Sequence, residues 1–341
     1  MRHALAPAFA LASSVLGCVE RSTPPAGEAG SPTGIHRVAE MNTEQIRALD
    51  REKTVVVLPG GILEEHGPYL PSFADGYVSE HVTDALARAI ATRPGWTVLL
   101  FPLIPLGVAP ANEIGSKYTF DGSYTVRSTT LRAVYMDLAT ELGEGGFRKI
   151  FVVHFHLGPN QSRALDQAAD YFNDTYGGQM VHLVGLMPVI GSYVGAAQNA
   201  TEAERAENGF GVHADLLETS INLFLGPHLV APGYAQARPI TGNNISELIP
   251  AAEQAGWPGY LGSPRHARPD IGAAALTSVT NTITDLALKI LDGFDYRQIP
   301  RYGDFTRNDP GNAVIDRHAT ADEQENERRQ VAWLRSKGFA R

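Results

Sequence analysis

One cysteine in 341 residues, Cys18, cannot form an internal disulfide, so no cross-linked scaffold holds this chain together. Clustered basic residues are missing too. The formal net charge is -9 and no Lys/Arg-rich run occurs. Binding to phosphate backbones needs a concentrated positive footprint, so a nucleic-acid partner is excluded. Low-complexity tracts and repeats with a period of roughly 20–50 residues are absent, which removes solenoids and propellers. The apolar stretch at residues 4–17 falls short of the about 20 residues that a mature membrane span needs.

What is present begins with that stretch. Arg2 and His3 form a short basic start, ALAPAFALASSVLG follows, and Cys18 closes it after Val15-Leu16-Gly17. The pattern reads as an export signal over residues 1–18 ending in a lipobox-like cysteine. It predicts an exported, membrane-anchored lipoprotein facing the periplasm or cell exterior, with the membrane reached through the lipid alone. Residues 19–34, rich in Pro, Gly, Ser and Thr, read as a flexible linker. A catalytic domain is expected over residues 35–300 and a C-terminal extension over 301–341. With 43% hydrophobic residues the chain can bury a large core.

Past residue 35, short apolar runs alternate with amphipathic stretches. Strands are expected at Thr54–Pro59, Thr97–Phe101, Lys149–His154 and Met180–Leu186. Helices are expected at Ser79–Ala91, Thr125–Gly143, Gln161–Tyr176, Asp215–Leu225 and Ile271–Leu291. Strands alternating with helices predict βαβ units around a mostly parallel sheet, with ligands at the carboxyl ends of the strands.

Three polar clusters follow predicted elements. Glu64 and His66 are two residues apart after the first strand, and in extended backbone such residues share a side. Asp75 returns after a loop and can bridge two cations. His154 and His156 share a face at the end of the third strand. His213, Asp215 and Glu218 open a helix, where Asp215 equally suits an N-cap and Glu218 a solvated acid. Carboxylate with imidazole suits Zn, Mn or Fe rather than Ca.

The segment LPGGILEEHGPYLPSFAD, ending at Asp75, resembles the opening signature of the creatininase family. Phe120-Asp121-Gly122-Ser123, the strand running into His156, His213-Ala214 with Glu218-Thr219-Ser220, and Gly262-Ser263-Pro264-Arg265 resemble its later motifs, in order. The resemblance implies a three-layer α/β/α fold with a mostly parallel sheet. It implies one or two divalent ions per subunit, Zn first, with Mn or Fe as alternatives. Glu64, His66, Asp75 and His156 are the implied ligands, with Glu218 close by as a fifth, and His213 is the implied acid/base group. A homo-oligomer, often a hexamer, is also implied.

The chain departs from the family at His154, where Asn is usual, at Tyr69, where His is common, and after His156. There it reads Leu157-Gly158-Pro159-Asn160, and Gly158 stands where creatininase itself places a carboxylate. The expected function is hydrolysis of a C–N bond in a small amide, cyclic amide or formamide by metal-activated water. Alternatives are a lactone or sugar-ring hydrolase on the same fold and a tethered, non-catalytic metal or ligand binder.

Overall fold

The computed structural model describes residues 34–339. The expected signal, Cys18 and nearly all of the linker lie outside them. The strands are β1 (Gly34–Arg37), β2 (Thr54–Gly60), β3 (Thr97–Leu100), β4 (Lys149–His154) and β5 (Gln179–His182), with β-branched and apolar residues running together in β2, β3 and β4. They make one sheet in the order β1-β3-β2-β4-β5, parallel throughout. Val56 of central β2 pairs with Leu99 on one side and Ile150 on the other. Every residue of β2 is buried, as befits a strand covered on both faces.

The helices are α1 (Thr43–Arg47), α2 (Ala74–Ala91), α3 (Ser128–Glu144), α4 (Pro159–Tyr176), α5 (Met187–Gly195), α6 (Glu202–Asn208), α7 (Leu216–Leu225), α8 (Ile245–Ala252), α9 (Pro269–Leu291), α10 (Tyr302–Phe305) and α11 (Pro310–Ser336). Alternating side chains of each strand feed two separate cores. Val55, Val57, Val98, Phe151 and Val153 pack against α2, α5, α7 and α9. Val56, Leu58, Leu99, Ile150 and Val152 pack against α3 and α4. The result is the expected three-layer α/β/α arrangement.

The expected elements differ from the structure in particular places. The last strand ends at His182 rather than Leu186, because β5 pairs with β4 over four positions and the chain then turns, Leu186 N–H donating to Leu183 O at 3.3 Å. The edge strand β1 and the long helix α11 were not expected. Asp75 follows the loop after β2 and lies in the first turn of α2, which begins at Ala74, ahead of the expected Ser79. Among the described residues no helix is long and apolar enough to cross a membrane.

The C-terminal residues pack back onto the sheet layers. Arg301 reaches Asp170 of α4 with two 3.0 Å hydrogen bonds, and Asp316 of α11 accepts from Arg163 at 2.5 Å. Glu323 of α11 accepts from both N and Oγ of Ser128 at 2.7 Å, supplying the cap that Arg127 does not give α3.

Candidate metal centre

The site forms beyond the carboxyl ends of β2 and β4, the central neighbours of the sheet. After Gly60 the chain leaves β2 and carries Glu64 and His66 across its end. β4 ends at His154, and His156 follows two residues on. Asp75 comes from the start of α2, and Glu218 from the first turn of α7. His213 precedes α7, fixed by backbone bridging to Leu261. Glu64, His66, Asp75, His156 and His213 are buried, and Glu218 is partly so.

Hydrogen bonds set each imidazole. His66 Nδ1 lies 3.1 Å from the carbonyl of Glu64 and donates to it. Its Nε2 is buried without a hydrogen-bond partner, 3.8 Å from Asp75 Oδ1 and 3.7 Å from Glu218 Oε2, and although burial and His213 pull its pKa down, Asp75 and Glu64 outweigh them and raise it. His156 donates from Nε2 to Ala109 O at 2.9 Å and turns Nδ1 to Glu64 Oε2 at 3.0 Å and Asp75 Oδ2 at 3.1 Å. His213 donates from Nε2 to Glu65 O at 2.6 Å. Its Nδ1 lies 3.7 Å from Glu64 Oε1 and 3.9 Å from Glu218 Oε2. Ligand histidines typically anchor one ring nitrogen on a carbonyl and offer the other.

Donor atoms converge in three overlapping groups: Glu64 with His66 and His213, Glu64 with Asp75 and His156, and His66 with Asp75 and Glu218. Ligand bonds of about 2.0–2.2 Å to one ion put neighbouring donors some 3–4 Å apart, the spacing seen here. Asp75 belongs to two groups and presents one oxygen to each. The five residues expected as ligands are therefore brought together, with His213 at their edge.

His154 is not among them. It takes a hydrogen bond from Gln161 Nε2 at 2.7 Å and donates from Nε2 to Leu106 O at 2.9 Å, so both ring nitrogens are used. Burial lowers its pKa to about 3 and keeps it neutral. It is a core histidine.

Two alanines with left-handed backbone flank the site. Ala109 (φ 59°) points its carbonyl at His156, and Ala214 (φ 44°) gives its N–H to Glu218 Oε2 at 2.6 Å. Such conformations cost roughly 1–2 kcal/mol and concentrate at functional sites. Ala111 N–H donates to Glu64 Oε1 at 2.6 Å. Asp215 caps α7, accepting from Leu217 and Glu218 N–H.

The charges answer one another. Burial works to raise Glu64, but His156 and His213 outweigh it and hold the carboxyl below its usual range. Asp75 is likewise depressed, burial being overcome by His156 and His66. His213 is opposed by burial yet lifted to about 10 by Glu64 and Glu65. Buried carboxylates at this density call for cations.

Sequence reasoning missed Glu65 and Tyr193. The Tyr193 ring packs on Phe155 at 5.9 Å, and burial followed by the charges of Glu218, Asp215 and Asp75 holds its phenol well above its usual pKa.

A family model described as creatininase, creatinine amidohydrolase, matches residues 39–287. The chain belongs to the creatininase family. Two creatininase structures superpose with 98% of their own length on 75% of this chain. One is a manganese form at 22% identity and TM-score 0.57, and the other a mutant of Zn-Zn type at 21% and 0.53. Among curated relatives, the mycofactocin precursor peptide peptidase of Mycobacterium ulcerans (strain Agy99) is 24% identical over 243 residues, covering 67% of this chain and 82% of that protein. Against this creatininase background, the donor set of imidazole and carboxylate, with an orphaned buried Nε2 on His66, fits a divalent cation such as Zn, Mn or Fe.

Proposed function

We propose that this creatininase-family protein is a metal-dependent hydrolase that cleaves the C–N bond of a small amide, cyclic amide or formamide. The observation that carries the reading is the Nε2 of His66, buried without a hydrogen-bond partner and directed at Asp75 and Glu218. Glu64, His66, Asp75, His156 and Glu218 would hold one or two ions. A bound divalent cation lowers the pKa of water from about 15.7 toward ~7 and polarises a carbonyl.

The chain's own groups supply the rest. His213 keeps Nε2–H on the Glu65 carbonyl, so Nδ1 is the nitrogen facing the carboxylates. A proton on Nδ1 passes to the leaving nitrogen, a contribution of ~10²–10⁴-fold. Tyr193, stacked on Phe155 and held above its usual pKa by burial and by the charges of Glu218, Asp215 and Asp75, stays protonated.

A second reading has one specific support, the relative described as a peptide peptidase. A panel of cyclic amides, formamides, short peptides and lactones separates the two and includes the lactone-hydrolase alternative. Elemental analysis of His66→Ala and Asp75→Ala should show metal lost from folded protein. Full retention would reject the ligand assignment, and metal without turnover on the whole panel would favour a binder. We further propose export with lipidation at Cys18 and assembly into a homo-oligomer. The export reading is supported by the apolar run ending in Leu16-Gly17-Cys18, and mass spectrometry of protein from its native host tests it.

A further inference from the structure

We propose that Glu65 is a positioning residue for His213, holding the imidazole so that Nδ1 stays turned toward Glu64 and Glu218. This rests on the assignment of His213 as the acid/base group. Glu65 stands between two ligands in sequence, yet it belongs to none of the three donor groups. Glu64 and His66 enter the donor groups, whereas Glu65 between them lies against His213 Nε2.

Its surroundings form a built cradle. Glu65 is 3% exposed. Oε2 accepts from Gly67 N–H at 3.2 Å and lies 3.5 Å from His213 Nε2, while Oε1 is buried without a partner. Among the described residues His213 is the one basic side chain within 4.0 Å of it. The wall is made of backbone. A Cβ on Gly259 (φ 87°) would collide with Glu65 Oε2, and one on Gly122 (φ 100°) would meet Glu65 Cα and Cβ at 3.4 Å.

The main chain of Glu65 is pinned from the far side as well. Its N–H donates to Ser123 Oγ at 3.1 Å, and Ser123 donates on to Asn112 Oδ1 at 2.7 Å. The carbonyl that receives His213 Nε2–H is therefore fixed in place, and the carboxylate flanks the same nitrogen at 3.5 Å. With Nε2–H given to the carbonyl, Nδ1 alone is left for chemistry.

The test uses full-length protein and ¹⁵N NMR of imidazole side chains, with the His213 signal assigned by its loss in His213→Gln. Wild type should show a protonated Nε2 whose proton exchanges slowly. Glu65→Met, which keeps bulk and the main-chain carbonyl but removes the carboxylate, should speed that exchange at least about tenfold, the scale of orienting partners elsewhere. Glu65→Gln, which restores an oxygen acceptor, should stay close to wild type. All three variants should bind Zn²⁺ at the wild-type stoichiometry. Unchanged exchange in Glu65→Met, with Zn²⁺ retained in His213→Gln, would overturn this inference alone. Loss of Zn²⁺ from His213→Gln would make His213 a ligand and overturn the acid/base assignment and the inference together.

Discussion

A Cβ built on Gly158 would lie 2.6 Å from Nε2 of His156 and 3.0 Å from Cβ of Ala109. The first distance is shorter than real Cβ contacts. His156 is held there by its bond to Ala109 O, and α4 begins at the next residue, Pro159. The position two residues after His156 therefore has room for glycine, and any carboxylate serving in its place must come from elsewhere. Glu218 stands in the group with His66 and Asp75, 3.7 Å from His66 Nε2.

Glu218→Gln should accordingly weaken metal binding at least about tenfold, whereas His154→Asn should leave metal stoichiometry intact. Burial, then the charges of Asp75 and Asp215, push Glu218 up to about 7 against the pull of His66 and His213, which marks a carboxyl short of positive charge. His154 has both nitrogens occupied by Leu106 and Gln161, so its replacement costs packing rather than a ligand. Chelator competition on the two folded variants checks the ranking. If His154→Asn strips the metal and Glu218→Gln keeps it, the ranking is reversed.

Removing the metal should lower the melting temperature. The cluster is assembled in the folded chain alone, so an ion at 100 times its Kd stabilises by about 2.7 kcal/mol. Scanning calorimetry before and after chelation, then after adding back Zn²⁺ or Mn²⁺, should show a fall and a concentration-dependent recovery. A melting temperature indifferent to added metal would contradict the assignment of the donor groups.

Part of this site was legible in sequence because its rules are local. Glu64 and His66, two residues apart, were expected to converge and both reach the donor cluster, and Asp215, equally suited to a cap, caps α7 through Leu217 and Glu218. Glu65 was not legible, because its partner His213 lies 148 residues on. The backbone donors of Ala111 and Ala214 carry no side-chain signal at all. The parallel sheet followed from its β-branched runs, but β1 is a four-residue edge strand and α11 is polar on most of its surface. Both are held by tertiary contacts that no periodicity encodes.

Helix α11 should contribute to stability through one residue in particular. Glu323 Oε1 takes two hydrogen bonds from Ser128 at the first turn of α3. Glu323→Ala should destabilise by about 1 kcal/mol, the usual cost of a lost N-terminal cap. Urea denaturation should show a lower midpoint with an unchanged m-value. A midpoint equal to wild type would mean that water replaces the cap without loss.

The pH dependence of stability should carry the mark of Glu113. It lies in the short helical turn 111–115, and its Oε2 is buried without a partner. Burial first, then the negative charge of Glu323, raise its carboxyl from 4.5 to about 8. Between those values the folded protein keeps a proton that the unfolded chain releases, so this contribution is full below about 4.5 and is lost as pH rises through about 8. Glu113→Gln has no proton to lose. In metal-free protein, wild type should therefore lose more stability than Glu113→Gln between pH ~5 and ~8, read as the shift in urea midpoint. Parallel falls in the two proteins would show that Glu113 does not titrate in this range.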